Sequence, residues 1–405
     1  MSDSNEVQTT AGDSHISIRV RLIELARLFL KLGTIGFGGP AAHIALIESE
    51  IVGRRQWVTK QEFLDMLGAA NLIPGPTSTE MAITTGFVRA GWAGLCVAGA
   101  SFIFPAAVIT GMFAWAYVRF GSLPQTASVL AGVKPAVIAL IAVAIWRLGK
   151  SALKDVGLAV LGIAALAAFL LGVNPLLILL GGGVIGMAGR RFTVSSAGAT
   201  LLIPPMFSGR PLLRLQFLAA TVFTASAPVV RPSLLRIALF FLKIGAVLYG
   251  GGYVLLAFLE HGLVHQHAWL TQPQLLDAIA IGQFTPGPVF STATFIGYLL
   301  GGVPGAAVAT VGIFVPSFFY VALLAPVLFR LRQSAWIGAF LDSVNVCAVA
   351  LMTGVTLRLA ADALRGWPSW LITAVALVAL LRWKVNSALI VLGGGVAGLL
   401  FAAVR

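Results

Sequence analysis

Long apolar stretches recur along the chain, separated by short polar or basic punctuation. They run at about 20–38, 66–89, 92–119, 126–148, 155–172 and 173–189, and again at about 233–259, 275–300, 302–329, 336–360, 367–381 and 386–403. A membrane-spanning helix needs about 20 apolar residues, so most stretches predict one span each. The stretches 155–189 and 367–403 divide into pairs of short helices whose second members carry glycine runs. The pattern predicts an all-α polytopic membrane protein with six helices in each half and twelve in all.

The two sets are copies. F-L-K-L-G-T-I-G-F-G-G-P at 29–40 returns as F-L-K-I-G-A-V-L-Y-G-G-G at 241–252, and N-L-I-P-G-P at 71–76 returns as Q-F-T-P-G-P at 283–288, both at a shift of 212 residues. The same shift maps Glu48 onto Glu260, Trp57 onto Trp269, Asp65 onto Asp277, and N-P-L-L-I-L-L-G-G-G at 174–183 onto N-S-A-L-I-V-L-G-G-G at 386–395. A one-residue gap moves the middle of each half to a shift of 211, where Arg147-Leu148 meets Arg358-Leu359. Two similar halves in an apolar chain are the signature of a repeat-built transporter. The expected organisation is a disordered polar tail at 1–18, a first repeat at 19–189, a linker at 190–232 and a second repeat at 233–405. The tail lacks the basic-then-apolar order of a cleaved signal peptide.

The linker decides the topology. If its apolar stretch 215–230 crosses the membrane, there are thirteen spans and the halves are inverted; if not, there are twelve and they are parallel. Basic residues flank cytoplasmic helix ends. In the first half Arg19, Arg21, Arg27, Arg147, Lys150, Lys154, Arg190 and Arg191 agree on a cytoplasmic N-terminus. In the second, Arg330, Arg332, Arg382 and Lys384 oppose Arg231, Arg236, Arg358 and Arg365. An inverted second half produces such a loss of bias.

Composition removes the soluble alternatives. The chain is 59% hydrophobic and 10% charged, with mean hydropathy +0.96, against roughly 25% charged in soluble domains. The net charge of +13 does not point to nucleic acid, because the Lys and Arg residues punctuate apolar segments and form no aromatic-interleaved basic face. Helix ends facing lipid headgroups account for them. Cys96 and Cys347 lie in apolar stretches with neither disulfide nor metal spacing, and read as core residues.

The most informative segments are M-L-G-A-A-N-L-I-P-G-P-T-S-T-E at 66–80 and A-I-G-Q-F-T-P-G-P-V-F-S-T at 280–292. Proline removes a donor and clashes with the previous turn, so helices must break near 73–76 and 285–288. Broken backbone at membrane depth is tolerated inside protein or against a water-filled cavity. A helix restarting after Pro76 points free N–H groups at that cavity, and Thr77, Ser78 and Thr79 add hydroxyls. Such an end binds an oxyanion without many arginines. The plain alternative is a packing kink, but paired interrupted segments in corresponding places favour a transport site.

Other residues carry weaker signals. The glycine runs G-F-G-G-P-A-A-H at 36–43 and L-Y-G-G-G-Y-V-L at 248–255 serve either close packing or a cavity wall; those at 181–183 and 393–395 read as packing. Lys31 and Lys243 are repeat equivalents that either attract a dianion or snorkel. Lys134 stands opposite Asn345 in the repeat, and pairing with Asp342 is its expected neutralisation. Glu80, opposite Thr292, is either a helix N-terminal carboxylate or a proton carrier, since an acid beside an anion site repels the anion unless protonated. His43, opposite Leu255, is a further unmatched proton-coupling candidate. Glu48, Glu260, Asp65 and Asp277 read as solvated loop acids between the first two segments of each half. His261, His265 and His267 lack convincing metal spacing.

The motifs F-G-G-P, N-L-I-P-G-P-T-S-T-E, Y-G-G-G and G-Q-F-T-P-G-P-V-F-S-T-A-T-F-I-G-Y resemble the chromate ion transporter (CHR) family in its long-chain form, across about residues 20–403. The resemblance implies an inner-membrane exporter of chromate that confers resistance and is tied to the proton motive force. It also implies halves of opposite orientation joined by a linker crossing. The motif positions here are Gly38, Gly39 and Pro40, then Pro74, Gly75 and Pro76 with Thr77, Ser78 and Thr79. In the second half they are Gly250, Gly251 and Gly252, then Pro286, Gly287 and Pro288 with Ser291 and Thr292. Asn71 and Gln283 adjoin the two turns, and with Lys31 and Lys243 complete the expected substrate-binding set.

Chromate and sulfate are tetrahedral dianions, and the resemblance leaves sulfate open as a substrate. With a negative interior, moving a dianion outward gains about 4.6 kcal/mol per 100 mV, twice the single-charge value, and inward proton movement adds to it. Lipid is an expected partner, nucleic acid is not, and a homodimer is compatible with the reading. No cofactor is expected, since neither a flavin fingerprint nor a redox cysteine pair is present. The rival readings are a sulfate carrier or anion channel, and a membrane enzyme using the acids of 48–65 and 260–277.

Overall fold

Proline and glycine, more than polar loops, set where the helices stop. The computed structural model describes residues 17–37, 39–121, 123–195, 232–249, 254–324, 335–383 and 385–403. Residues 1–16 of the expected tail, the apolar stretch 215–230, and Gly38, Gly250, Gly251 and Gly252 lie outside them, and Ile18, expected as the tail's last residue, begins α1. The described residues form helices and no strand. The first half holds α1 (Ile18–Ile35), α2 (Pro40–Glu48), α3 (Lys60–Ala70), α4 (Thr77–Phe120), α5 (Pro124–Ala152), α6 (Val156–Leu170) and α7 (Pro175–Ser195). The second repeats them as α8 (Leu234–Val247), α9 (Leu255–Leu259), α10 (Gln272–Phe284), α11 (Thr292–Leu324), α12 (Ala335–Ala363), α13 (Trp367–Arg382) and α14 (Ser387–Ala403).

Two stretches differ from the sequence reading. Segment 20–38 ends with α1 at Ile35 and is followed by α2 from Pro40, and segment 233–259 divides into α8 and α9. The stretch expected as a polar loop is helical. A π-helical turn, Ser49–Arg54, leads to a capping box in which Thr59 and Glu62 start α3. The second half repeats this with Glu260–Gln266 and a Thr271–Gln274 box before α10. Gln56 (φ 53°) and Ala268 (φ 51°) close the two π turns in the same left-handed backbone conformation. The shift of 212 is therefore written in the geometry as well as the letters.

A straight 44-residue α4 would be about 66 Å long at 1.5 Å per residue, twice the ~30 Å hydrocarbon thickness. It is not straight. Ala90 and Gly91 leave helical geometry, with Gly91 at φ 61°. Gly86 and Gly94, eight apart in sequence, then touch so closely that a Cβ on either would collide with the other's carbonyl. The chain has turned back on itself. Gly302 (φ 63°), with Gly297 against Gly305, does the same in α11. These reversals separate the apolar segments that end at 89 and 300 from those that follow.

The halves interlock. α1 packs on α4 and α8 on α11, within each half. α5, however, packs on α13 and α14, and α12 packs on α6 and α7, so each half is completed by the other. Glycine makes this close approach possible. Gly132 of α5 lies against the backbone of Gly394 and Gly398, and Gly182 and Gly183 of α7 against Cys347 and Phe340. The second and third members of each triple glycine are thus packing residues, while nothing lies within 4 Å of a Cβ added at Gly181 or Gly393. Cys347 is buried as expected, but Cys96 is exposed.

Among the described residues, four helices, α4, α5, α11 and α12, are long and apolar enough to cross a membrane, and α6, α7, α13 and α14 are shorter apolar helices. Large side chains such as Trp92, Phe104, Trp115 and Val303 are more than half exposed. That surface suits lipid, not water.

One buried charge cluster joins the halves and corrects the expected pairing. Lys134 of α5 lies 3.0 Å from Asp277 Oδ1 of α10, and Tyr117 of α4 donates to Asp277 Oδ2 at 2.9 Å. Asp342 pairs instead with Lys154 at 2.7 Å. Asp277 is buried, not a solvated loop acid, because α10 turns it inward at the α4–α5 junction. Breaking a buried pair by removing one partner costs about 3–5 kcal/mol. Asp277→Ala is expected to lower the thermal unfolding midpoint in detergent sharply, whereas the joint replacement Lys134→Met with Asp277→Leu recovers most of the loss.

Candidate functional site

The site begins with two helix breaks. α3 stops at Ala70 and α4 starts at Thr77; α10 stops at Phe284, and a 3-10 turn at Val289–Ser291 leads into α11. The prolines forbid continuation, and the glycines between them take backbone angles open only to glycine, with φ 139° at Gly75 and 92° at Gly287. These angles aim each glycine N–H across the molecule. Gly75 donates to the carbonyl of Leu248 at 2.8 Å, and Gly287 donates to the carbonyl of Gly36 at 2.8 Å. Gly36 and Leu248 are repeat equivalents, each directly after the first helix of its half. Each Pro-Gly-Pro turn is therefore clasped by the other half, in a reciprocal pair. The sequence reading did not select Gly36 or Leu248; their only signal was position, at the edge of the glycine runs.

Polar groups collect behind these turns. Ser78, Thr79, Glu80, Ser291 and Thr292 are all at most 1% exposed. Thr110 donates to Ser291 Oγ at 3.2 Å across the halves, and Thr292 donates to the Val289 carbonyl at 2.8 Å. The hydroxyls of Thr79, Thr84 and Ser317, the Gln283 amide nitrogen and both Glu80 oxygens are buried without a hydrogen-bond partner. Each such group costs about 1–3 kcal/mol, so their concentration marks a place kept for something other than packing. The side-chain space that Gly75 lacks is taken by Glu80 Oε1 and Ser317 Oγ, which a Cβ there would strike. Ser317, on α11, was missed by sequence reasoning. Its equivalent at a shift of 211 is Ala106, which stands against Gly287; that polar–apolar mismatch, just after Pro105 and Pro316, was the available signal.

The helix ends offer fewer amides than a bare N-terminus. The Pro76 carbonyl accepts from the N–H groups of Thr79 at 2.8 Å and Glu80 at 3.1 Å, and that of Pro288 accepts from Ser291 at 2.9 Å. The orphan donors of the first turn are thereby reduced to those of Thr77 and Ser78 in α4.

The other expected residues divide between this site and its surroundings. His43 Nε2 donates to the Gly36 carbonyl at 2.8 Å, and its ring stands edge-on to Phe102, so it belongs to the clasp. Thr77 Oγ1 lies 3.5 Å from Asn71 Oδ1. Gly39 (φ 77°) and Pro40 start α2. Lys31 is engaged by Glu50 at 2.9 Å; Lys243 lines a separate cavity that includes no residue of either Pro-Gly-Pro turn. Lys134 belongs to the Asp277 cluster. Glu260, expected in a solvated loop, is fully buried and bound by His265 at 2.7 Å and Arg358 at 3.4 Å. Among the described residues, no group of three His, Cys, Asp or Glu side chains is placed to hold a metal ion.

The family model described as "Chromate transporter" matches residues 23–187 and again 235–399. The chain is 33% identical to the chromate transport protein of Cupriavidus metallidurans, over 96% of each chain. It is 32% identical to the probable chromate transport protein of Synechococcus elongatus, over 96% of this chain and 97% of that one. It is 30% identical to the chromate transport protein of Pseudomonas aeruginosa, over 93% and 91%. No solved structure matches.

Proposed function

Because the chain belongs to the chromate transporter family, we propose that it is a secondary active transporter that exports chromate across the bacterial inner membrane, driven by the proton motive force. Family membership supports chromate transport by a multi-pass membrane protein. Direction, coupling and the site are our reading. The observation that carries it is the reciprocal clasp: Gly75 to Leu248 and Gly287 to Gly36, with unpartnered hydroxyls and a carboxyl buried beside them.

In this reading one chromate binds between the halves. Ser78, Thr79 and Ser291 offer hydroxyls, and Thr77 and Ser78 offer amides at the start of α4, where the helix dipole favours an anion. The residues are buried, so access requires the halves to move. The clasp hydrogen bonds, one in each direction, are the contacts that a rocking motion would exchange. We take the halves to be inverted, which with six spans in each half requires 215–230 to cross as a thirteenth. Export follows the membrane potential, by the dianion argument above. Glu80 sits where a charged carboxylate is unpartnered once the anion has left, so we assign it the counter-moving proton carried by the empty site, with His43 on the opposite clasp and Lys134 as further proton-coupling candidates. The relatives are named transporters, and the acids an enzyme would need, Glu260 and Asp277, are held in ion pairs.

The test is chromate flux in proteoliposomes under imposed potential and pH gradients, with sulfate as competitor. Saturable flux that responds to both gradients supports the proposal; flux no greater than in empty liposomes overturns it.

A further inference from the structure

The repeat contains its own control for a second anion site. In the first half, cations surround an internal carboxylate. Glu50 Oε1 accepts from Lys31 at 2.9 Å and lies 3.5 Å from Arg54, while Oε2 lies 3.4 Å from Arg55, whose guanidinium stacks over Trp57. The Lys31 hydrogen bond and charge, aided by the Arg55 hydrogen bond and the Arg54 charge, hold Glu50 below the ordinary carboxylate range. The second half keeps the frame. Lys243 stands for Lys31, His267 for Arg55 and Trp269 for Trp57, with His267 stacked on Trp269 at 4.7 Å. It loses the acids, since Gly262 replaces Glu50 and Arg236 replaces Glu24.

What remains is a cavity of about 390 Å³ lined by Arg236, Lys243, His261, Gln266, His267 and Trp269 and by apolar side chains such as Leu239 and Phe240, with Asn174, just before α7, at its edge. The nearest acid, Glu260, is turned to His265 and Arg358. Among the described residues, neither Arg236 nor Lys243 has an ion-pair partner. We infer that this cavity binds a tetrahedral oxyanion of the phosphate or sulfate class, which takes the place that the Glu50 carboxylate fills in the first half. The oxyanion is either a free ion or the headgroup phosphate of a lipid. The site is independent of the Pro-Gly-Pro turns, and so of the function proposed above. The mobile anion supplies the countercharge that the sequence no longer encodes.

The experiment uses the full-length protein in detergent. Equilibrium dialysis against radiolabelled sulfate counts free-ion binding, and mass spectrometry counts co-purified phospholipid. The double variant Arg236→Gln with Lys243→Gln is expected to lose one bound anion per chain, with affinity down at least tenfold, while Lys243→Arg retains it. Loss of sulfate identifies a free ion as occupant; loss of phospholipid identifies a lipid. Unchanged sulfate and phospholipid binding overturns the inference. Should the double variant fail to fold, amine-reactive labelling of wild-type Lys243 decides: protection by sulfate or by added phospholipid supports the site, and labelling indifferent to both removes it.

Discussion

Gly75→Ala is expected to lower chromate flux roughly 100-fold while leaving the protein inserted and folded. Two effects combine. An alanine at φ 139° is strained by about 1–3 kcal/mol, and its Cβ would strike Glu80 Oε1 and Ser317 Oγ. Relief requires the turn to move, which loosens the 2.8 Å hydrogen bond to Leu248, worth about 1 kcal/mol. Together these approach the ~2.7 kcal/mol that corresponds to two orders of magnitude. Gly287→Ala is expected to behave alike, because its Cβ would meet Ala106 at 2.7 Å and φ is 92°. Gly181→Ala is the control, since nothing lies within 4 Å of the added Cβ. Flux in proteoliposomes, normalised to inserted protein, checks all three. Equal flux in Gly75→Ala and Gly181→Ala would remove the turn from the transport path.

Glu80→Gln is expected to separate transport from its driving force. Glutamine keeps the size of the side chain and its place beside Gly75 and Ser317, but it carries no exchangeable charge. An ionised Glu80, buried with neither oxygen partnered, carries a desolvation cost of several kcal/mol. Taking up a proton once the chromate has left removes that cost while the empty site returns, so anion and proton cross in turn, which is the coupling we propose. The variant should therefore still exchange chromate for chromate, yet lose at least tenfold of the flux driven by a pH gradient at clamped potential. A full response to the pH gradient would show that the proton travels elsewhere.

Much of this was legible in the sequence because its causes are local. Two prolines flanking a glycine break a helix where a single proline such as Pro105 or Pro135 does not, so the interruptions at 71–76 and 285–288 could be read directly. The shift of 212 was equally plain, and the matching π turns and capping boxes follow from it. The interlock was not legible. The contact of α5 with α14 joins residues more than 200 apart, and glycine spacing does not name its partner helix. The same limit misassigned Lys134, whose neighbour Asp277 had looked like a loop acid. Ser317 escaped because the repeat comparison was made on glycines, prolines and charges, while a hydroxyl facing Ala106 in the other copy was the informative difference.

The central claim is that one chromate sits between the two Pro-Gly-Pro turns. Chromium scatters anomalously, so a structure of the protein with chromate bound locates the metal atom without reference to the assignment. The account predicts a chromium peak between the two turns, with chromate oxygens within hydrogen-bond distance of Ser78 and Ser291. A peak at another place, with both turns empty, would contradict it.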